Sequence, residues 1–201
     1  MSWIQMISYE AANASLRRLY DRIKGPGNNV DNVMKIHSLR PHTLVGHMTL
    51  YKNVLHNSNN TLPKWYLEAL GVYVSYLNDC MYCFEHHFAG FSRLYDDAAT
   101  AQKYRSAVKT DTAGRFFEAK YQPGFHYAKK LTLSVGSIAL EDIEPLRQAG
   151  FDDGEILEIN QVVSYFNYAN RTVLGLGVNL KDDILGLSPN DSSDPDNWRH
   201  D

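Results

Sequence analysis

The chain has 201 residues, of which 44% are hydrophobic and 21% are charged. This length and composition are ordinary for one globular domain and exclude collagen-like, low-complexity and wholly disordered chains. Lys and Arg number 20 against 23 Asp and Glu, a formal net charge of −3. The chain as a whole therefore has no electrostatic attraction to nucleic acid or to an anionic membrane, and we expect neither as a partner.

The sequence also bears on the compartment. No apolar run reaches the ~18 residues of a transmembrane helix, and the first ten residues lack the basic and apolar segments of a secretion signal. We expect a cytoplasmic protein. Cys80 and Cys83 are its two cysteines, and in a reducing compartment such a pair indicates redox chemistry or metal binding rather than a structural disulfide.

Apolar residues recur with helical spacing through most of the chain. Pro41 and Pro63 suit the first turns of two helices, and Asp79 suits the N-cap of another. No stretch alternates apolar and polar residues over the length of a strand, so we predict an all-α fold. The predicted helices run, in chain order, over residues 16–23, 41–55, 63–77, 80–95, 123–135, 143–149 and 152–173.

The composition changes beyond Gly186. Residues 188–197 are almost entirely Ser, Pro, Asn and Asp, with nothing to bury in a core. We predict a single helical domain over residues 1–187 and a flexible polar tail over 188–201, in which Trp198 belongs to a frayed terminus.

Four residues form the group that carries chemistry. Cys83 and His87 are one helical turn apart, and Cys80 precedes Cys83 by three residues, which places the sulfurs within reach of a disulfide. The start of a helix stabilises a thiolate, the nucleophilic form of cysteine. His87 is placed to accept the thiol proton, and Glu68, on the preceding antiparallel helix, is the carboxylate best placed to orient the ring.

Other interpretations of these residues stay open. The two cysteines are compatible with small buried hydrophobic residues, or with half of a zinc site completed by His86 or His87, although the sequence has no second Cys/His cluster. His86 lies three residues from Cys83 and competes with His87 for the role of its partner. The aromatic residues around the pair suit either an apolar mouth for a substrate or the core.

The spacing Glu68-x11-Cys80-x2-Cys83-x3-His87 resembles the redox motif of the AhpD-like alkylhydroperoxidases, within the carboxymuconolactone decarboxylase superfamily. The segments 66–70 and 78–87 are similar to the core helical hairpin of that family. This resemblance covers about residues 40–100, and residues 165–171 and 175–177 resemble the C-terminal helix of its peroxidase-related branch.

The resemblance implies a helical bundle whose core hairpin carries the CxxC motif and which assembles as a homo-oligomer, a trimer or hexamer. It implies reduction of organic hydroperoxides, with hydrogen peroxide as a further candidate, through a dithiol–disulfide cycle that an external dithiol resets. Cys83 then takes the peroxidatic role and Cys80 the resolving role, with Glu68 and His87 as a proton relay and no cofactor or metal. One departure is Tyr82, which stands where well-studied members carry a second histidine.

Two functions of other classes are compatible with the same sequence. One is a thiol–disulfide oxidoreductase or redox-sensing module that does not use peroxide efficiently. The other is a non-enzymatic helical oligomer, or a metal-binding CxxC protein, in which the cysteines take no part in redox chemistry.

Overall fold

The computed structural model of the chain describes residues 2–95 and 97–200. Within those residues, nine α-helices follow one another, joined by turns and short 3-10 segments, and no β-strand occurs. The all-α fold class predicted from the helical spacing is confirmed. The helices are α1 Ala14–Ile23, α2 Asn32–Lys35, α3 Pro41–Leu55, α4 Lys64–Leu77, α5 Met81–Leu94, α6 Ala98–Lys109, α7 Gln122–Leu133, α8 Glu144–Gln148 and α9 Asp153–Gly175.

Two of the helices, α2 and α6, were not predicted from the apolar spacing. Helix α2 has only four residues, and α6 buries a narrow stripe in which Ala101 accompanies Tyr104 and Val108, too little apolar surface to stand out. The N-cap expected at Asp79 is wrong by one residue. Asp79 has a φ of +54° and closes the turn after α4, so Cys80 is the N-cap of α5.

Helix α4 forms the centre of the bundle. Most of its side chains between residues 66 and 75 are buried, as expected of a helix that is apolar on all sides. It packs against α5, α7 and α9. A Cβ atom at Gly71 would lie 2.1 Å from the ring of Phe166, so the absence of a side chain at this position sets how closely α4 and α9 approach.

The C-terminal segment differs from the flexible tail expected for residues 188–201. Trp198 is only 1% exposed, and the guanidinium of Arg22 lies 3.7 Å from its ring centroid. The Lys52 ammonium is buried and donates to the carbonyl of Asn190 and to the hydroxyl of Ser192. The segment therefore packs on the helices because Trp198 has apolar surface to bury and because its polar groups satisfy a buried ammonium. No described helix is long and apolar enough to cross a membrane.

Candidate active site

A short connection brings the four motif residues onto neighbouring helices. Three residues, 78–80, separate α4 from α5, so the two helices pack side by side. Glu68 on α4 is thereby brought against His87 on α5, with Nδ1 of His87 2.8 Å from Oε2 of Glu68. Because a carboxylate can only accept, the Nδ1–H donates, and Nε2 is the ring nitrogen that takes or releases a proton.

The two thiols are in contact. The Sγ atoms of Cys80 and Cys83 lie 2.8 Å apart, and neither cysteine is in a disulfide. Cys80 is fully buried and Cys83 is 5% exposed. The pair can therefore close into a disulfide with little movement of the helix start.

The pKa values of the two thiols shift in opposite directions. The hydrogen bond with the thiol of Cys83 lowers the pKa of Cys80, with help from the backbone at the helix start and from Asn170. Burial raises the pKa of Cys83 well above its ordinary value. The thiolate form is therefore favoured at Cys80 rather than at Cys83.

A narrow cavity opens beside Cys83. Its volume is about 40 Å³, which is room for a few water molecules. Glu68, His87 and Cys83 all line it, whereas Cys80 does not. Its apolar walls come from the aromatic rings of Tyr51, Tyr165 and Phe166 and from residues 186–188 of the C-terminal segment.

Glu68 has histidines near both of its oxygens. His56 Nε2 lies 4.0 Å from Oε1 of Glu68, and His56 Nδ1 lies 3.4 Å from Asp191. Burial alone raises the pKa of Glu68, but His87 and His56 outweigh it and lower the pKa below its ordinary value. Glu68 is therefore a buried carboxylate at neutral pH, able to hold the His87 ring in one tautomer.

Asp191 connects His56 and Glu68 to the protein surface. Its carboxylate is half exposed and pairs with Lys64 at 2.7 Å. Burial raises its pKa, but the hydrogen bond with His56 and the ion pair with Lys64 outweigh that effect and bring the pKa to about 2. Burial also lowers the pKa of His56, and the ring donates its Nδ1–H to Asp191.

Another polar group lines the same cavity, around Tyr82. Tyr82 donates its hydroxyl to Oδ2 of Asp183 at 2.5 Å and accepts the backbone N–H of Val33 at 3.0 Å. Burial raises the pKa of Tyr82 well above 10, so it remains a phenol. Asp31 also lines the cavity, and burial raises its pKa to about 6.

Several residues of the site were not found by sequence analysis. Asn170 on α9 is fully buried, with its amide donating to Ser75 and accepting from Asn78. It lies behind the cysteine pair, within the segment 165–171. A fully polar side chain on the apolar face of a long helix was the available signal. His56, Asp183 and Asp191 carried no such signal, because nothing in their spacing relates them to the cysteines.

The geometry of the described residues does not support a zinc site at the cysteine pair. Among residues 2–95 and 97–200, no group of three or more His, Cys, Asp or Glu side chains is arranged to hold a metal ion. His86 and His87 follow the cysteines, but each ring faces a carboxylate, Asp183 and Glu68 respectively.

Comparisons with known proteins relate the overall fold to solved structures. No protein-family model matches the chain, and no curated protein matches it by sequence. An uncharacterized peroxidase-related protein from Silicibacter sp. TM1040 matches with a TM-score of 0.74 and 23% identity, over 89% of this chain and 91% of that one. An uncharacterized peroxidase-related protein from Ralstonia eutropha JMP134, described as an alkylhydroperoxidase AhpD core, has a TM-score of 0.72 and 20% identity, over 90% and 93%.

A third similar structure is named for a different activity, debromination. The debrominase Bmp8, solved as a variant in complex with 2,3,4-tribromopyrrole, matches with a TM-score of 0.71 and 14% identity, over 90% of this chain and 95% of that one. These identities are low, but the coverage extends over nearly the whole of each chain. The chain therefore has the helical fold of the AhpD-like, peroxidase-related proteins.

Proposed function

We propose that the protein is a thiol-dependent peroxidase that reduces small organic hydroperoxides through Cys80 and Cys83. One observation carries the proposal: two free thiols are in contact, and one of them, Cys83, lines a cavity that also holds a buried His87–Glu68 pair. A dithiol supplies two electrons, and the histidine supplies a place for a proton. The peroxidase-related names of two structures with this fold point the same way.

The first half of the cycle takes place at Cys83. His87 accepts the thiol proton, and the sulfur attacks one peroxide oxygen while the O–O bond breaks. The products are a sulfenic acid on Cys83 and an alkoxide, which takes up a proton and leaves as the alcohol. Cys83 is assigned to this step because it lines the cavity and Cys80 does not.

The second half closes the disulfide. The sulfur of Cys80 attacks that of Cys83, and hydroxide leaves and takes the proton held by His87, so that water is released. The lowered pKa of Cys80 suits this step, because a lower pKa favours the thiolate form that attacks. An external dithiol reduces the disulfide and is itself oxidised to a disulfide. The cycle needs no cofactor.

The decisive experiment counts thiols before and after one equivalent of an organic hydroperoxide. The reduced protein has two alkylatable thiols after denaturation. We expect both to disappear together, with a mass loss of two hydrogens and no bond between chains. If both thiols remain alkylatable after peroxide treatment, this function is wrong. An active insulin-type disulfide reduction without peroxide consumption would instead support a thiol–disulfide oxidoreductase.

A second candidate is reductive dehalogenation of a small halogenated aromatic compound. The aromatic rings of Tyr51, Tyr165 and Phe166 in the cavity wall favour it, as does the debrominase with the same fold. The two thiols would become a disulfide, the carbon–bromine bond would become carbon–hydrogen, and hydrogen bromide would leave. Bromide release from a bromopyrrole, in the presence of a dithiol, tests this candidate against hydroperoxide consumption by the same preparation.

A further inference from the structure

A second histidine of α5 lies at the same cavity as the cysteine pair. His86 follows Cys83 by one helical turn, is buried, and lines the cavity together with Cys83 and His87. Its Nε2 atom has no hydrogen-bond partner among the described residues and lies 3.4 Å from Oδ2 of Asp183. A buried ring nitrogen without a partner is costly, which indicates that this ring serves a purpose other than packing.

Asp183 is held firmly behind His86. Both of its carboxylate oxygens lie 3.0 Å from the backbone N–H of Asn32, and Tyr82 donates to Oδ2. Its side chain has no exposed surface. A carboxylate on one nitrogen of an imidazole orients the ring and determines which nitrogen exchanges a proton. Since Asp183 occupies the Nε2 side, Nδ1 is the nitrogen available for exchange.

Two other polar groups of the cavity are already committed. The hydroxyl hydrogen of Tyr82 is used in the bond to Asp183, and the Nδ1–H of His87 is used in the bond to Glu68. His87 must also take the proton of the thiol at the start of the cycle. The chemistry of the O–O bond, however, requires a proton donor at the moment when the alkoxide forms.

We propose that His86, oriented by Asp183, donates the proton that converts the departing alkoxide into an alcohol. The inference rests on the proposed peroxidase function and divides its proton transfers between two histidines. His87 accepts the proton of Cys83, and His86 gives its own proton to the alkoxide. Hydroxide then leaves the sulfenic acid with the proton of His87. When the external dithiol reduces the disulfide, one of its protons returns to Cys83 and the other to His86, which balances the cycle.

Two peroxides whose leaving groups differ in basicity test this role of His86. tert-Butyl hydroperoxide releases an alkoxide, a strong base that needs a proton donor. Peracetic acid releases acetate, a weak base that leaves without one. In single-turnover measurements we expect His86→Asn to slow the reaction with tert-butyl hydroperoxide by about 10²-fold or more, the usual range for general acid catalysis. The rate constant with peracetic acid should change by no more than about threefold, because no proton is required.

Further variants complete the test. His87→Asn should slow both reagents, because removal of the thiol proton precedes either departure. Asp183→Asn should reproduce the selective loss of His86→Asn in weaker form, since an amide still accepts from Asn32 and Tyr82 but no longer carries the charge. His42→Asn applies the same change to an exposed histidine and should alter neither rate constant. Because His86 is buried, His86→Gln is made in parallel, and rate constants rather than amplitudes are compared so that only folded protein is read.

The outcomes separate the two hypotheses. A selective loss with the hydroperoxide supports the inference. An equal loss with both reagents, or no loss with either, overturns it while leaving the peroxidase function in place. If the wild-type thiols react with neither reagent, the peroxidase function itself is wrong and the role of His86 falls with it.

Discussion

Glu68 and His87 are joined by a hydrogen bond of 2.8 Å at a position where Glu68 is only 2% exposed. A carboxyl buried to this extent would ordinarily be neutral, because burial penalises the charged form. The His87 ring outweighs burial, with a contribution from His56, and the pKa of Glu68 is lowered instead. Glu68 therefore stays ionised and accepts the Nδ1–H of His87.

The first prediction concerns this hydrogen-bonded pair. Glu68→Gln retains the shape of the side chain and loses its charge, so we expect the single-turnover rate with hydroperoxide to fall at least about tenfold and the apparent thiol pKa to rise. His87→Ala should cost at least as much. Stopped-flow kinetics and thiolate absorbance measure both effects.

The double variant and a matched control decide the interpretation. If the two residues act together, Glu68→Gln with His87→Ala should lose less than the sum of the two single losses in activation free energy. Glu141→Gln, the same change at an exposed position, should leave the rate unaltered. Fully additive losses would show that Glu68 acts independently of His87.

The second prediction separates the two sulfurs. Cys83→Ser should abolish peroxide reactivity, because Cys83 lines the cavity. Cys80→Ser should react once and stop as a sulfenic acid that dimedone traps and mass spectrometry detects. The lowered pKa of Cys80 favours the reverse order, in which Cys80 attacks the peroxide first. A dimedone adduct found only in Cys83→Ser would show that reverse order.

The third prediction concerns Asp31 and pH. Its pKa is raised from 3.8 to about 6 by burial, so its folded form favours the proton. The stability it contributes is fully present below pH 3.8 and is lost as the pH rises through about 6. Asp31→Asn should therefore be more stable than the wild type at pH 8, by about 2–3 kcal/mol, with the difference shrinking towards pH 4.

Urea unfolding at several pH values measures this effect. Asp182→Asn is the control, because this aspartate is exposed and its positive φ of +68° suits asparagine. A difference between Asp31→Asn and the wild type that stays constant from pH 4 to pH 8 would contradict the prediction.

The fourth prediction tests the contact between α4 and α9. Gly71→Ala places a Cβ atom where the Phe166 ring now lies, and overpacking of this kind costs about 1–3 kcal/mol or more. Gly46→Ala on α3 has open space around the added atom and should stabilise the helix by about 0.5–1 kcal/mol. Thermal unfolding compares the two, and a Gly71→Ala protein as stable as Gly46→Ala would contradict the packing argument.

The fifth prediction is that the protein is a homo-oligomer, a trimer or a hexamer. Several large apolar side chains are more than one third exposed on the outer helices and their connections, and burial against another copy would remove them from water. Light scattering at several concentrations should give a multiple of 22.9 kDa; a single particle of that mass throughout would contradict it. The exposed residues in question are Leu133, Val135, Leu140, Leu157 and Leu174.

The amino-acid sequence by itself determined the elements that local rules control. Apolar spacing was sufficient for seven helices, because a helix places every third and fourth residue on one face. The same rule related Cys83 to His87, and the short connection after α4 related Glu68 to both. The bundle and the four motif residues were therefore predictable from neighbours in the chain.

Only the tertiary structure decided the electrostatic character of those residues. Burial raises the pKa of Cys83, whereas the hydrogen bond with the Cys83 thiol lowers the pKa of Cys80. His86 faces Asp183, which is distant from it in sequence. No local pattern contains such information, since charge stabilisation and burial depend on groups that only folding brings together.

The C-terminal segment illustrates the same limit. Its polar composition predicted a flexible tail, yet Ser188 lines the cavity, and Asp191 reaches His56. Composition measures how much apolar surface a segment has to bury. It does not measure the polar contacts that the segment makes with other parts of the fold. The buried ammonium of Lys52 donates to a carbonyl and a hydroxyl group of the segment, and these hydrogen bonds hold the segment in place.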